Sequence, residues 1–299
     1  MTGPASETLG DVLREWRRLR RLSQIDLAAD ARISTRHLSF VETGRSSPSR
    51  DVLLRLAEAL AMPLRGRNRL LLAGGLAPQF PEHRFDAPEM RAARQSVQAV
   101  LTAHEPFPAI AVDRHWTLLA ANRSIASLLQ GVSARLLAPP VNVLRLALDP
   151  DGLAPSILNL GQWRQHLCER LRRDAMASGD RMLFALHDEL RAIPAPPAPG
   201  AAPRLEEFPI AVPLVLRSPS NGETLSLLST TTVFGTATDV TLAELTLECF
   251  YPADEATRSA LSRLSSANQG FGAGSQIGDA AAPSRPAEKA EATLPHRAI

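Results

Sequence analysis

SQIDLAADARISTRHLSFVETGR, residues 23–45, contains two short helical patterns separated by only a few residues. Ser23 and Ser34 each stand where a helix begins, and a serine hydroxyl there accepts a hydrogen bond from the N–H groups of the first turn. Gly44 ends the second pattern, because glycine readily takes the left-handed conformation that follows a helix. Two capped helices so close together predict a small bundle of helices.

The second helix has an outward face that is rich in groups able to contact a base. If Leu38 points to the core, a rotation of about 100° per residue directs Arg36 and Phe40 away from it, with His37 and Ser39 on either side. An arginine can pair with O6 and N7 of guanine, and an apolar ring can contact a thymine methyl group. The face therefore fits the major groove of DNA, although a solvated helix face is the alternative.

Residues around this helix suggest contacts to phosphate and an internal ion pair. Gln24, the first residue after its cap, can offer its amide to a phosphate, and Arg45, just past the second helix, is placed to do the same. Glu42 falls on the inward side, where a carboxylate needs a partner. Arg17 in the preceding segment is the candidate, so we predict a partly buried pair of Arg17 and Glu42.

The N-terminal part as a whole is helical and basic. Residues 9–76 accommodate five helices, of which the fourth is capped by Ser49 and the fifth opens at Pro63. Residues 1–80 hold 13 Arg against 8 Asp or Glu, while the whole chain has a net charge of +2. The charge excess therefore lies at one end, which favours a polyanionic partner for that end.

The remainder of the chain predicts a mixed domain. Residues 77–106 form a connector and a helix, and residues 107–257 form an α+β domain with about five strands. One of these, over 239–250, shows a one-residue slip in its alternation that indicates a β-bulge or a strand bend. The proline-rich stretch 193–204 predicts an exposed loop, and residues 265–299 a disordered tail.

Two sequence patterns carry a family resemblance. Residues 24–28 read Q-x-x-L-A and residues 34–44 read S-x-x-x-L-S-x-x-E-x-G, and with them residues 9–76 resemble the Cro and lambda-repressor-like (XRE-type) helix-turn-helix domain. The resemblance implies an all-α DNA-binding domain in which Gln24 contacts the DNA backbone and Arg17 pairs with Glu42. By position it implies these base-reading residues: Thr35, Arg36, His37, Ser39 and Phe40. Phe40 stands where the family often has a polar residue, so contact by packing would replace a hydrogen bond there.

The C-terminal part resembles a second family. The resemblance rests on four segments in order, at residues 62–78, 104–122, 139–167 and 234–254. They are similar to the subgroup that joins this helix-turn-helix to an MmyB-like ligand-binding domain with a PAS-like fold. This implies a transcription regulator that senses a small molecule, lipid-like or fatty-acid-like in character.

Three residues of the helical part are candidates for ligand contact. Asn142 supplies an amide, Arg145 a planar cation that suits a carboxylate, and Trp163 a ring. The alternative is that Arg145 lies on a solvated helix face and that Trp163 belongs to the core.

Other features limit the class of protein. No stretch has the roughly 18 apolar residues of a membrane span, and the N-terminus lacks the pattern of a secretory signal, so we expect a cytoplasmic protein. Cys168 and Cys249 have no neighbouring metal-ligand pattern and are predicted to be buried thiols. No nucleophile motif or phosphate-binding glycine loop occurs, so we expect neither catalysis nor a cofactor.

The sequence thus predicts a DNA-binding regulator that acts as a homodimer on an inverted repeat, with half-sites about 10 base pairs apart. Two alternatives remain. In one, the C-terminal domain is a ligand-free module for dimerisation or protein interaction. In the other, the chain is a small-molecule-binding or enzymatic protein whose helical bundle serves for docking.

Overall fold

The N-terminal region is the predicted bundle of five helices. The structure, a computed structural model, describes residues 7–194 and 211–269, with side chains to residue 266. The bundle consists of α1 (Leu9–Leu19), α2 (Gln24–Asp30), α3 (Thr35–Glu42), α4 (Arg50–Ala59) and α5 (Leu64–Ala73). The hydroxyls of Ser23, Ser34 and Ser49 accept hydrogen bonds from the first turns of α2, α3 and α4, as their caps predicted.

Helix α1 lies unusually close to the end of α3. Leu13, Trp16 and Leu38 are almost completely buried between these helices and their neighbours. A Cβ atom on Gly10 would lie 2.1 Å from the carbonyl oxygen of Glu42, so only glycine allows this approach. The position of the predicted base-reading helix is therefore fixed by α1.

The C-terminal domain combines helices with one antiparallel sheet. Its helices are α6 (Arg91–Ala103), α7 (Arg123–Leu128), α8 (Ala134–Leu137), α9 (Val143–Leu148), α10 (Leu160–Ser178), α11 (Arg181–Ala192), α12 (Val240–Ala243) and α13 (Glu255–Gln269). Its strands are β1 (Ala109–Val112), β2 (Leu118–Ala121), β3 (Leu214–Arg217), β4 (Thr224–Val233) and β5 (Thr246–Pro252). They pair antiparallel in the order β2-β1-β5-β4-β3. The predicted α+β domain with five strands is confirmed.

Alternating side chains bury both faces of the sheet. Ile110 and Val112 of β1 belong to a large core with α10 and α11, whereas Ala111 faces the opposite side. There Val97 and Leu101 of α6 cover the sheet. The helix predicted next to the connector is thus part of the folded C-terminal domain.

Two sequence predictions need correction. The stretch 239–250 is not one bulged strand, because Asp239 caps the short helix α12 through the backbone N–H groups of Thr241 and Leu242, and β5 begins only at Thr246. The tail predicted from residue 265 begins too early, since α13 continues to Gln269. Its remaining residues, 270–299, and most of the predicted loop lie outside the described residues.

Two further observations concern the cysteines and the membrane-spanning potential of the helices. Both cysteines are buried as free thiols, as predicted. Within residues 7–194 and 211–269, no helix has the length and apolar character that crossing a bilayer requires.

Candidate DNA interface and ligand cavity

Helix α3 exposes the side chains predicted to read bases. Thr35 and Arg36 are exposed, and His37, Ser39 and Phe40 are half-buried. The guanidinium of Arg36 lies over the ring of Phe40, 5.3 Å from its centre, in a cation–π contact. The ring thus supports the arginine and leaves its hydrogen-bond donors at the surface.

The two residues predicted to contact phosphate differ in their surroundings. Arg45 is exposed directly after the left-handed Gly44. Gln24 donates from its amide nitrogen to Oε2 of Glu42, over 2.7 Å. One of the two N–H bonds of that amide is therefore committed to the protein, and the other remains for a phosphate.

Glu42 joins the first three helices. Arg17 donates from Nε to Oε1 over 2.8 Å and from Nη2 to Oε2 over 3.0 Å, so the pair predicted from the sequence is present and is bidentate. Arg14 also donates to the Glu42 carbonyl oxygen. Burial raises the pKa of Glu42, but the hydrogen bonds from Arg17 and Gln24 outweigh it and hold that pKa below its ordinary value. The carboxylate is therefore charged and paired at neutral pH.

The C-terminal domain contains a partly open apolar cavity of about 110 Å³ between the sheet and its helices. Trp163 of α10 lines it and is only 4% exposed. Apolar lining residues include Ile110, Leu118, Leu128, Leu144, Leu214 and Phe250. Such a space suits an apolar molecule, although it is smaller than the roughly 300 Å³ at which most ligand pockets begin.

One end of the cavity is polar. Arg170 of α10 donates from Nη1 to Oε2 of Glu248 over 2.9 Å and from Nη2 to the hydroxyl of Thr231 over 2.9 Å. Glu248 is 3% exposed, and the guanidinium of Arg170 lies 4.6 Å from the centre of the Trp116 ring. Ser229 also lines the cavity. A neutralised ion pair therefore lies at one end of an otherwise apolar space.

Of the three residues predicted to contact a ligand, Trp163 lines the cavity that the described residues form, whereas Asn142 and Arg145 do not line it. Asn142 caps α9 by accepting from the backbone of Arg145, and it donates to the His115 carbonyl oxygen over 2.8 Å. Arg145 points outward and binds Glu189 through two hydrogen bonds of 2.6 and 2.7 Å. The sequence carried a better signal in Glu248, a lone acid in the apolar strand β5.

Arg20 joins the N-terminal and C-terminal domains. Arg20, at the end of α1, donates to the carbonyl oxygens of Met176 and Ala177 over 2.9 and 2.8 Å. It also donates to Leu60 and Ala61 within its own domain, over 2.9 and 3.2 Å. The last carbonyls of a helix lack partners within the helix, so Arg20 satisfies the end of α10 from outside. We call these contacts the Arg20 clamp.

A cleft of about 670 Å³ lies beside the clamp between the domains. Arg65 of α5 crosses it to Glu244, with Nη2 and Oε2 2.8 Å apart. Arg170 and Trp116 line both the cleft and the cavity. They form the partition between the apolar interior and the contact of the two domains.

Comparison with known proteins gives two matches to family models. Residues 93–264 match a model described as "MmyB-like transcription regulator ligand binding domain". Residues 13–66 match a helix-turn-helix model. The first model covers more than half of the chain, and together the two models include α3, the cavity and the clamp.

Other comparisons add little. No curated protein matches the chain. One solved structure, an RNA-binding light-oxygen-voltage receptor, is similar at 12% identity with a TM-score of 0.26 over 89% of this chain. The chain spans 64% of the length of that receptor, and at this score the likeness supports no argument.

Proposed function

The chain belongs to the family with an MmyB-like transcription regulator ligand-binding domain, and we propose that it is a sequence-specific transcription regulator whose DNA affinity is set by a small ligand. The two family matches identify a DNA-binding regulator with a ligand-binding domain. The proposal adds the residues, the ligand cavity and the route between them. We also propose that the protein acts by binding and not by catalysis, and that it works in the cytoplasm.

The surface of α3 carries the proposal for DNA. Arg36 is exposed and rests on Phe40, so its fork of donors is oriented before DNA arrives. We assign base contacts to Thr35, Arg36, His37, Ser39 and Phe40, and phosphate contacts to Gln24 and Arg45. The family arrangement of two such domains in a homodimer would place half-sites about 10 base pairs apart.

Helix α10 supports the proposed coupling. It contributes Trp163 to the cavity, Arg170 to the partition and the carbonyls of Met176 and Ala177 to the Arg20 clamp. A ligand that enlarges the cavity displaces α10. Because Arg20 binds the C-terminal end of α10, this displacement reaches the DNA-binding domain. The ligand then favours one arrangement of the two DNA-binding domains to the extent that it binds that arrangement more tightly.

The first test is selection of bound sequences from random duplex DNA at one fixed salt concentration. We expect an enriched palindromic motif for the full chain. Enrichment of no motif, in protein with and without its co-purified small molecules, would contradict the proposed sequence specificity.

A second candidate function is favoured by the small volume of the cavity. A C-terminal domain that serves only for dimerisation needs no ligand, and about 110 Å³ lies below the usual size of a ligand pocket. Native mass spectrometry of the chain purified from cells separates the two candidates. A bound small molecule supports ligand control, whereas a ligand-free dimer supports the alternative.

A further inference from the structure

We propose that the turn between β1 and β2, residues 113–117, transmits the state of the cavity to the N-terminal domain, and that Asp180 is the positioning residue on which this turn acts. The inference rests on the ligand control proposed above and adds a second route beside the displacement of α10. It concerns how occupation of the cavity is communicated and leaves the chemical class of the ligand open.

Trp116 gives this turn a strained backbone. Its φ angle is +64°, in the left-handed region that a bulky side chain rarely adopts. Such a conformation persists only where surrounding contacts hold it, and it recurs in switch regions. Here the N–H of Trp116 donates to the Asp113 carbonyl oxygen over 3.0 Å, and its carbonyl oxygen accepts from Val143 over 2.9 Å. The carboxylate of Asp113 also accepts from the N–H groups of His115 and Thr117, each over 2.8 Å, so the turn moves as one unit.

The side chain of Trp116 lies where the cavity and the cleft meet. It is 6% exposed, and Trp116 lines both spaces. Val143, the first residue of α9, lines the cavity as well. A ligand that enlarges the cavity therefore pushes against the two residues whose backbone hydrogen bond holds the strained conformation. Loss of that bond releases the strain, which favours a displaced turn when the ligand is bound.

The two residues before Trp116 bind one carboxylate. Nε2 of His115 lies 2.8 Å from Oδ2 of Asp180, and Nη1 of Arg114 lies 3.2 Å from the same oxygen. The other oxygen of Asp180 accepts from the backbone N–H of Met182 and so begins α11. Burial raises the pKa of Asp180, but the hydrogen bonds from His115 and Met182 and the charge of Arg114 outweigh it and hold that pKa below its ordinary value. Asp180 is therefore a charged link between the turn and the start of α11.

Asp180 also lies where the C-terminal domain contacts α1. The preceding residue, Gly179, has a φ angle of +68°, and a Cβ atom there would lie 3.4 Å from Cδ2 of Leu19 and 3.7 Å from Cζ2 of Trp16. The Arg20 clamp binds the last turn of α10 immediately before this glycine. A displacement of Asp180 therefore moves the segment that packs on α1.

Arg114 reaches a second bridge between the domains. Its Nε lies 3.8 Å from Oε2 of Glu244, the carboxylate that binds Arg65 of α5. One turn thus contacts two polar bridges to the N-terminal domain, at α1 through Asp180 and at α5 through Glu244. When Trp116 is displaced, both contacts change together.

The experiment separates binding in the cavity from its effect on DNA. The probes are straight-chain acids and alcohols of six, eight and ten carbons, added to the full chain after removal of co-purified lipids. Isothermal titration calorimetry gives their dissociation constants, and fluorescence anisotropy gives the affinity for the selected operator with and without the tightest probe. We expect that probe to change the operator affinity of the wild type at least about fivefold, and saturating operator to change the probe affinity by the same factor.

Asp180→Asn should uncouple the two events. Asparagine still caps α11 and accepts a hydrogen bond from His115, but it carries no charge for Arg114. We expect the probe to bind within about threefold of its wild-type affinity, while its effect on operator affinity falls below about twofold. Asp188→Asn is the matched control, because Asp188 lies on the same helix with its side chain 80% exposed, and it should leave both quantities unchanged.

Arg114→Gln keeps the test decisive if Asp180→Asn does not fold, because the side chain of Arg114 is 33% exposed. We expect the same uncoupling. Variants that keep the full effect of the probe on operator affinity would overturn the role of the turn and leave ligand control intact. Variants that weaken probe binding itself more than about tenfold would overturn it too, since the turn would then only shape the cavity. A probe that binds the wild type without changing operator affinity, or failure of every probe to bind, would overturn ligand control and this proposal with it.

Discussion

Nη2 of Arg20 lies 2.8 Å from the carbonyl oxygen of Ala177, so a side chain of the helix-turn-helix domain donates to the last turn of α10, a helix that also lines the apolar cavity. From Trp163 to Ala177 that helix spans about 20 Å at 1.5 Å per residue. A rigid element of this length transmits a displacement at one end to the other. The Arg20 clamp therefore couples the position of α10 to the position of the N-terminal domain.

Arg20→Ala should weaken the contact between the two domains. The variant loses hydrogen bonds from a charged donor to both domains, which we expect to lower the free energy of unfolding by about 2–3 kcal/mol. Small-angle X-ray scattering should show a larger radius of gyration, because the end of α10 is released. Arg18→Ala, at an exposed arginine of the same helix, is the control and should change stability by less than about 0.5 kcal/mol. An unchanged scattering profile for Arg20→Ala would show that the clamp does not hold the domains together.

Glu42→Gln should weaken the DNA-binding domain in a pH-dependent way. The pKa of Glu42 lies below its ordinary value of 4.5 in the folded protein. The paired carboxylate therefore stabilises the fold at pH values above 4.5, and this stabilisation disappears as the pH falls through the lowered pKa. We expect Glu42→Gln to cost about 2–3 kcal/mol at pH 7, below the range for a fully buried pair because Arg17 is partly exposed.

Urea denaturation of Glu42→Gln and the wild type at pH 7, 5 and 3 measures this difference. It should be equal at pH 7 and 5 and smaller at pH 3. A difference that stays constant down to pH 3 would contradict the role of the charged carboxylate.

The contrast between Glu42 and Glu248 shows what the sequence could predict. Glu42 lies in a helix whose inward face follows from Leu38, and Arg17 in the first helix was the candidate partner, which the family resemblance also implied. Arg170 and Glu248 are 78 residues apart, and only the sheet topology brings β5 under α10. Local caps and helix faces were therefore predictable, whereas the pairing of Glu248 with Arg170 at the polar end of the cavity was not. The pairing of Arg145 with Glu189 was hidden for the same reason, because Glu189 lies on another helix.

Gly10→Ala should destabilise the protein although alanine is the better helix former. The new Cβ atom would lie 2.1 Å from the Glu42 carbonyl oxygen, so α1 and α3 must move apart. We expect a loss of about 1–3 kcal/mol in thermal denaturation. Gly161→Ala, in α10 with no neighbour within 4 Å among the described residues, is the control and should be neutral or stabilising by up to about 1 kcal/mol. Equal effects of the two substitutions would refute the close contact.

Arg36→Ala and Arg45→Ala should affect DNA binding in different ways. Arg36 projects from α3 with its guanidinium resting on Phe40, and loss of a bidentate base contact costs about 1–3 kcal/mol for the preferred base and nothing for its replacements. Arg45 follows the helix and is assigned to a phosphate, so its removal should weaken binding to all sequences alike. Each phosphate contact releases about one counterion, so Arg45→Ala should also reduce the salt dependence of the binding constant by about one. Fluorescence anisotropy with the selected operator, a single-base variant and random DNA between 50 and 200 mM salt measures both quantities. If Arg36→Ala weakens binding to the operator and to random DNA equally, Arg36 contacts the backbone, and base recognition must lie with the other residues of α3.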